Sequence, residues 1–117
     1  MPNSLDFNSL ATNVTQAFTS KLAGQGGSIA QQFTDHLRSL ARIGVSIAEG
    51  AANQSISQQE AQLMLQNQRL LLELVAVGAA GKMKVALENA INSALDVVVT
   101  AVNGATGFAL IRPTKAT

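Results

Sequence analysis

The chain has 117 residues, eight Lys and Arg against seven Asp and Glu, and a formal net charge of +1. That is one domain's length, and its charge balance excludes a basic footprint for nucleic acid, so no nucleic-acid partner is expected. With no cysteine and a single histidine, disulfides, thiol chemistry and thiolate or histidine-rich metal sites are excluded as well.

Catalysis lacks a starting point. The carboxylates at Asp6, Asp35, Glu49, Glu60, Glu73, Glu88 and Asp96 never form a close pair, and no nucleophile, base and orienting group occur together. The expectation is a protein that is not an enzyme and has no cofactor and no metal. Ala and Gly make up 28 residues, Ser, Thr, Asn and Gln make up 35, and charged residues are only 13%. A surface so poor in charge puts little electrostatic barrier in the way of self-association.

Apolar spacing predicts a first helix from about Leu5 to Ala23, with Phe7, Leu10, Val14, Phe18 and Leu22 on one stripe. Gly24, Gly26 and Gly27 should end it. Ser28 is the expected N-cap of a second helix over 29–49, striped by Ile29, Phe33, Leu37, Leu40, Gly44 and Ile47. Gly44 inside that stripe marks close approach by a neighbour. The acid, base and cations of Asp35, His36, Arg38 and Arg42 could meet an anion or sense pH through His36, but a solvated helix face opposite Leu37 and Leu40 is the favoured reading.

Ser57-Gln58-Gln59-Glu60 is a capping box, so a third helix starts at Gln58. Leu63, Leu70, Leu74 and Val77 give it one stripe, and between Leu70 and Val77 only Glu73 is charged. A helix that is apolar all round needs cover on every side. Glu73 amid those leucines is expected either to snorkel to a polar edge or to pair with a cation, such as Arg69 one turn earlier or one across an interface. Gly78-Ala79-Ala80-Gly81 has neither proline nor a turn cluster, so one continuous helix over 58–102, about 68 Å long, is favoured over a hinge. Met83, Leu87, Ile91, Ala94, Val98 and Val102 continue at helical spacing, and Asn103-Gly104 should stop the helix. Arg112 is held extended by Pro113, and the run Phe108-Ala109-Leu110-Ile111 reads as a docking strand. Its expected surface is a neighbouring subunit, with the bundle's own groove as the alternative.

The fold expected is therefore all-α: a small antiparallel helical bundle, or a long helical hairpin, of three or four helices over 1–104. A short extended C-terminal tail occupies 105–117. No secretory signal is visible in the first 20 residues, which leaves a cytoplasmic place or one within a virion or assembled particle.

Val14-Thr15-Gln16, with Ala52-Asn53 and the Gln58-Gln59 run downstream, sits on a short, cysteine-free chain rich in Ala, Gln, Asn and Thr. In these features the chain resembles the small structural proteins of bacterial R-bodies, the refractile coiled ribbons. The resemblance covers roughly residues 13–68. It implies a self-assembling ribbon subunit that changes form with pH, and it transfers no site residue.

The function expected is that of a noncatalytic, self-assembling helical structural subunit of bacterial or phage type, a homo-oligomer, ribbon or filament. Its interface would be built from Leu70, Leu71, Leu72, Leu74, Val75 and Val77 with Phe108, Leu110 and Ile111. Two alternatives stay open. One is a membrane-active protein, such as a phage ejection or pore component, inserting residues 70–81 and 97–111. The other is a small helical module enclosing an apolar ligand among Met64, Met83 and the phenylalanines.

Overall fold

Among the described residues there are four helices: α1 Phe7–Ser20, α2 Gly26–Ala52, α3 Gln58–Val77 and α4 Lys84–Thr106. The structure is a computed structural model describing residues 5–22, 26–77 and 84–113, with the backbone alone over 26–30. Among these residues there is no strand, and the fold is all-α as the periodicity predicts. The linker 78–83, with Gly78, Ala79, Ala80, Gly81 and Met83, lies outside the described residues, as do Gly24 and the tail beyond Pro113.

α1 begins where Asp6 accepts a hydrogen bond from the Ser9 backbone N–H at 2.9 Å. That bond, with one from the Ser9 hydroxyl behind it, holds the Asp6 carboxyl below its ordinary pKa. Leu10, Val14 and Phe18 are buried, as their spacing requires. α2 starts two residues before the expected cap at Ser28, whose side chain lies outside the described atoms. It also runs three residues past Glu49. It ends in a Schellman turn: Ser55 N donates to Gly50 O at 2.7 Å, Gln54 N donates to Ala51 O at 3.2 Å, and Gln54 takes a left-handed φ of 63°.

The capping box of α3 forms in both directions. Glu60 N donates to Ser57 Oγ at 3.1 Å, and Ser57 N donates to Glu60 Oε1 at 2.8 Å. Bonds from the Ser57 backbone and then its side chain keep the Glu60 carboxyl below its ordinary pKa. α4 passes the expected stop and ends on Gly107 instead. Gly107 has φ 80°, and its N–H donates to Asn103 O at 2.9 Å. Asn103 does not cap because its amide is occupied elsewhere, as described below.

The continuous helix over 58–102 does not exist. In a straight helix residues 69 and 92 would stand about 35 Å apart, yet Arg69 Nη1 donates to Asn92 Oδ1 at 2.7 Å. α4 folds back antiparallel on α3. α2 and α4 each pack on all three other helices, while α1 and α3 pack chiefly on that pair. The core takes Phe18 and Phe33, with ring centroids 4.8 Å apart, and Leu37, Leu40, Ile47, Leu65, Leu72, Leu87, Ile91, Leu95 and Val98.

Gly44 marks the close approach its position suggested. A Cβ there would lie 3.1 Å from both Leu10 Cδ2 and Val98 Cγ1, so α1, α2 and α4 meet over bare backbone. Arg42 and Arg38 lie over the Phe7 ring, 4.5 and 5.6 Å from its centroid. Two of the cations read as a possible anion contact thus tie α2 to α1.

Candidate functional site

α3 carries two apolar stripes. Ala61, Leu65, Gln68 and Leu72 are buried, and Val75 packs on the core with them. Adding two to each number gives Leu63, Asn67, Leu70, Leu74 and Val77, about 200° further round the helix at 3.6 residues per turn. This second stripe points away from the protein: Leu63, Leu74 and Val77 are 65%, 70% and 80% exposed, and Leu70 is 44% exposed. Spacing in the sequence gives the leucine-rich stripe as one apolar stripe of this helix. The fold turns it to solvent and buries the stripe containing a small residue and an amide.

The nine residues expected at an interface therefore divide. Leu70, Leu71, Leu74, Val77 and Ile111 are exposed, whereas Val75 and Phe108 are half-buried against the core. Leu72 and Leu110 are buried in the chain's own core, so neither presents an exposed side chain. Leu72 is two residues out of phase with the exposed stripe, so no rotation of α3 brings both outward.

The expected docking of the tail on a neighbouring subunit is also corrected. Residues 107–113 lie along the chain's own α3 and α4, clasped by side-chain amides. Ala109 N donates to Gln58 Oε1 and Ile111 N donates to Gln62 Oε1, each at 3.0 Å, and Gln62 Nε2 donates to Ile111 O at 2.8 Å. From the α4 side, Leu110 N donates to Asn103 Oδ1 at 2.9 Å and Asn103 Nδ2 donates to Leu110 O at 3.0 Å. Alternate tail residues face alternate helices, because an extended chain turns successive groups to opposite sides. Gln58 and Gln62 substitute for the neighbouring strand that the tail lacks.

Arg69 anchors the same region. It is 2% exposed, and its Nη1 donates to Asn92 Oδ1 and, at 3.1 Å, to Pro113 O. Nη2 donates to Glu88 Oε2 at 3.0 Å. The expected partner Glu73 is farther away, at 3.9 Å, so the stronger ion pair joins two helices rather than two turns of one. Arg112 Nη1 reaches Asp96 Oδ2 at 2.9 Å, in water, where such a pair contributes little. No spacing rule could have found Arg69–Glu88, because it requires the fold-back that the sequence reading had disfavoured.

Among the described residues, no group of three or more His, Asp or Glu could hold a metal ion. A groove of about 440 Å³ between α1 and α4 is lined by Leu10, Asn13, Asp96, Val97, Thr100 and Ala101, and it is open to solvent. Met64 is half-buried away from it, against the core. Comparison with protein-family models, with curated proteins and with solved structures gave no match.

Proposed function

We propose that the chain is a noncatalytic structural subunit that associates with copies of itself, in the manner of a bacterial or phage assembly protein. One observation carries this reading: the exposed stripe Leu63, Leu70, Leu74 and Val77 on the face of α3 opposite the core. Single exposed leucines need no explanation, but a contiguous aliphatic stripe along a helix marks an interaction surface. Fully covering a Leu or Val side chain stabilises by about 1.5–3 kcal/mol, so these four, at their actual exposures, recover on the order of 8–15 kcal/mol across two copies. Association costs roughly 4–15 kcal/mol. The balance supports reversible, concentration-dependent assembly. The likeness of residues 13–68 to R-body subunits supports the same reading.

A membrane-contacting reading has one observation in its favour, since α4 is long and apolar enough to cross a bilayer. Against it, α4 owes that composition to the core: Leu87, Ala90, Ile91, Ala94, Leu95, Val98, Val99 and Val102 are all buried. Inserting α4 would require opening the whole bundle.

Sedimentation equilibrium over a range from about one to a few hundred micromolar tests the proposal. The average mass should rise above that of one chain with concentration, and Leu63→Gln with Leu74→Gln should suppress the rise while leaving the helical circular dichroism unchanged. A mass that stays at 12.1 kDa throughout overturns it.

A further inference from the structure

Resting on that reading, we infer that the occupant of the outer face of α3 is α3 of a second copy, parallel and in register, with Asn67 against Asn67. The spacing is the first argument. Leu63, Asn67, Leu70, Leu74 and Val77 step by 4, 3, 4 and 3, the seam of a two-heptad coiled coil with leucines at 63 and 70, valine at 77, and Asn67 in one of the alternate slots. The inner stripe of the same helix has the same steps and is filled by the chain's own helices, so α3 already packs in this manner once.

Asn67 supplies the direction. It is exposed in the single chain. In a parallel pair it meets its own counterpart, and two amides can donate and accept between them. An antiparallel pair centred on Leu70 would set it against Leu74 of the second copy and bury an unsatisfied amide, and one centred on Asn67 would match the amides but set Leu74 and Val77 against Glu60 and Ser57. A lone asparagine in such a seam sets register and favours two strands.

Charge and area identify the partner. The stripe carries no charged residue, and its flanks hold Gln59, Gln66 and Glu73, with Glu73 drawn toward Arg69. Among the described residues of α3 no lysine or arginine flanks it, unlike helices that lie on anionic membranes, and two identical neutral faces do not repel. Glu60 occupies the slot before Leu63 and would meet its twin, but its carboxylate is turned back onto Ser57, so the seam begins at Leu63. The exposed parts of Leu63, Leu70, Leu71, Leu74 and Val77 correspond to about three whole aliphatic side chains. That implies on the order of 300–650 Å² per copy once polar atoms are included, below the roughly 800 Å² of a standard specific interface. The pair is therefore isologous, weak and reversible.

The absence of cysteine makes the register directly measurable. Three single-cysteine variants of the full chain are oxidised at tens of micromolar: Asn67→Cys and Leu70→Cys in the seam, and Ser39→Cys at an exposed position on α2. A disulfide needs Cα atoms within about 7 Å, so Asn67→Cys should form a covalent dimer at least tenfold faster than Ser39→Cys, as should Leu70→Cys. Cross-linking of Leu70→Cys without Asn67→Cys would mean antiparallel pairing and overturns the register. If neither exceeds Ser39→Cys while the unmodified chain still gains mass with concentration, the seam is overturned and self-assembly stands. A chain monomeric throughout overturns both. Monomers that float with phosphatidylcholine vesicles assign the face to lipid and overturn the pairing.

Discussion

The two sides of this small bundle are held together by different physics. Where α1, α2 and α4 meet, the contact is apolar and close: Phe18 on Phe33, and Leu10 and Val98 over the bare backbone of Gly44. Where α3, α4 and the tail meet, the apolar contacts of Leu65, Leu72 and Leu110 are joined by hydrogen bonds that involve Gln58, Gln62, Asn103 and Arg69. The apolar side follows from side-chain periodicity, because each residue's partner class is written in its own hydrophobicity. The polar side depends on which amide meets which backbone group after the chain has folded back. It also explains how α3 can keep a leucine-rich stripe outside, since its attachment does not rest on hydrophobic area alone.

The largest expected effects test whether both sides carry stability. Phe33→Ala should cost about 3–5 kcal/mol, the usual range for removing a buried ring. Arg69→Ala should cost about 3 kcal/mol, since it removes a buried guanidinium that bonds to Glu88, Asn92 and the Pro113 carbonyl. Urea denaturation gives both values, and limited proteolysis separates them: only Arg69→Ala should speed cleavage within 107–113. If Arg69→Ala costs less than about 1 kcal/mol, the polar side is ornament on an apolar bundle and the contrast fails.

Next comes Gly44→Ala, which sharpens the apolar side. Alanine favours helix over glycine by about 1 kcal/mol. Here its Cβ would sit 3.1 Å from two buried branched side chains, and overpacking of this kind costs about 1–3 kcal/mol. A net loss near 1 kcal/mol in thermal or urea melts is expected. A gain would mean that Leu10 and Val98 give way easily and that the packing is looser than the distances imply.

The pattern of success and failure in the sequence follows the same division. The stripes of α1 and α2, the Gly44 approach and the Ser57–Glu60 box were legible because each depends on residues within a few positions or on hydrophobicity alone. The fold-back between α3 and α4 was not, because Gly78-Ala79-Ala80-Gly81 contains no residue that forces a turn. Asn103-Gly104 read as a stop, but Asn103 is committed to Leu110 and Gly107 ends the helix instead. Of the candidate surface, the leucines themselves were legible. Which of them face outward was not, because two stripes of equal spacing run along one helix and only tertiary packing chooses between them. Leu63 and Asn67 were missed as surface positions for that reason.

The junction between the two sides offers a smaller effect of opposite sign. Gln54 holds a left-handed φ of 63° at the end of α2, a conformation that costs a non-glycine residue roughly 1–2 kcal/mol, partly offset by the entropy glycine loses on folding. Gln54→Gly should therefore stabilise by about 0.5–1 kcal/mol, seen as a higher urea midpoint with an unchanged slope. A loss would show that the Gln54 side chain has a role beyond filling that turn.

The smallest effect compares one helix start from each side. Asp6 caps α1 and Glu60 caps α3, both carboxyls are exposed, and both are held below their ordinary pKa by bonds from Ser9 and Ser57. A carboxyl whose pKa is lower in the folded chain contributes stability that is complete above its unfolded pKa, near 4. That contribution is lost as the pH falls through the folded value. Asp6→Asn and Glu60→Gln keep a capping oxygen while removing the titration. Between about pH 5 and pH 2.5 each variant should therefore lose less stability than the parent, and the double variant less again. The difference in slope between parent and variant isolates the two caps. Equal slopes in parent and double variant would mean that both caps persist as well in the unfolded chain as in the fold. The two helix starts would then be local structure that owes nothing to either side of the bundle.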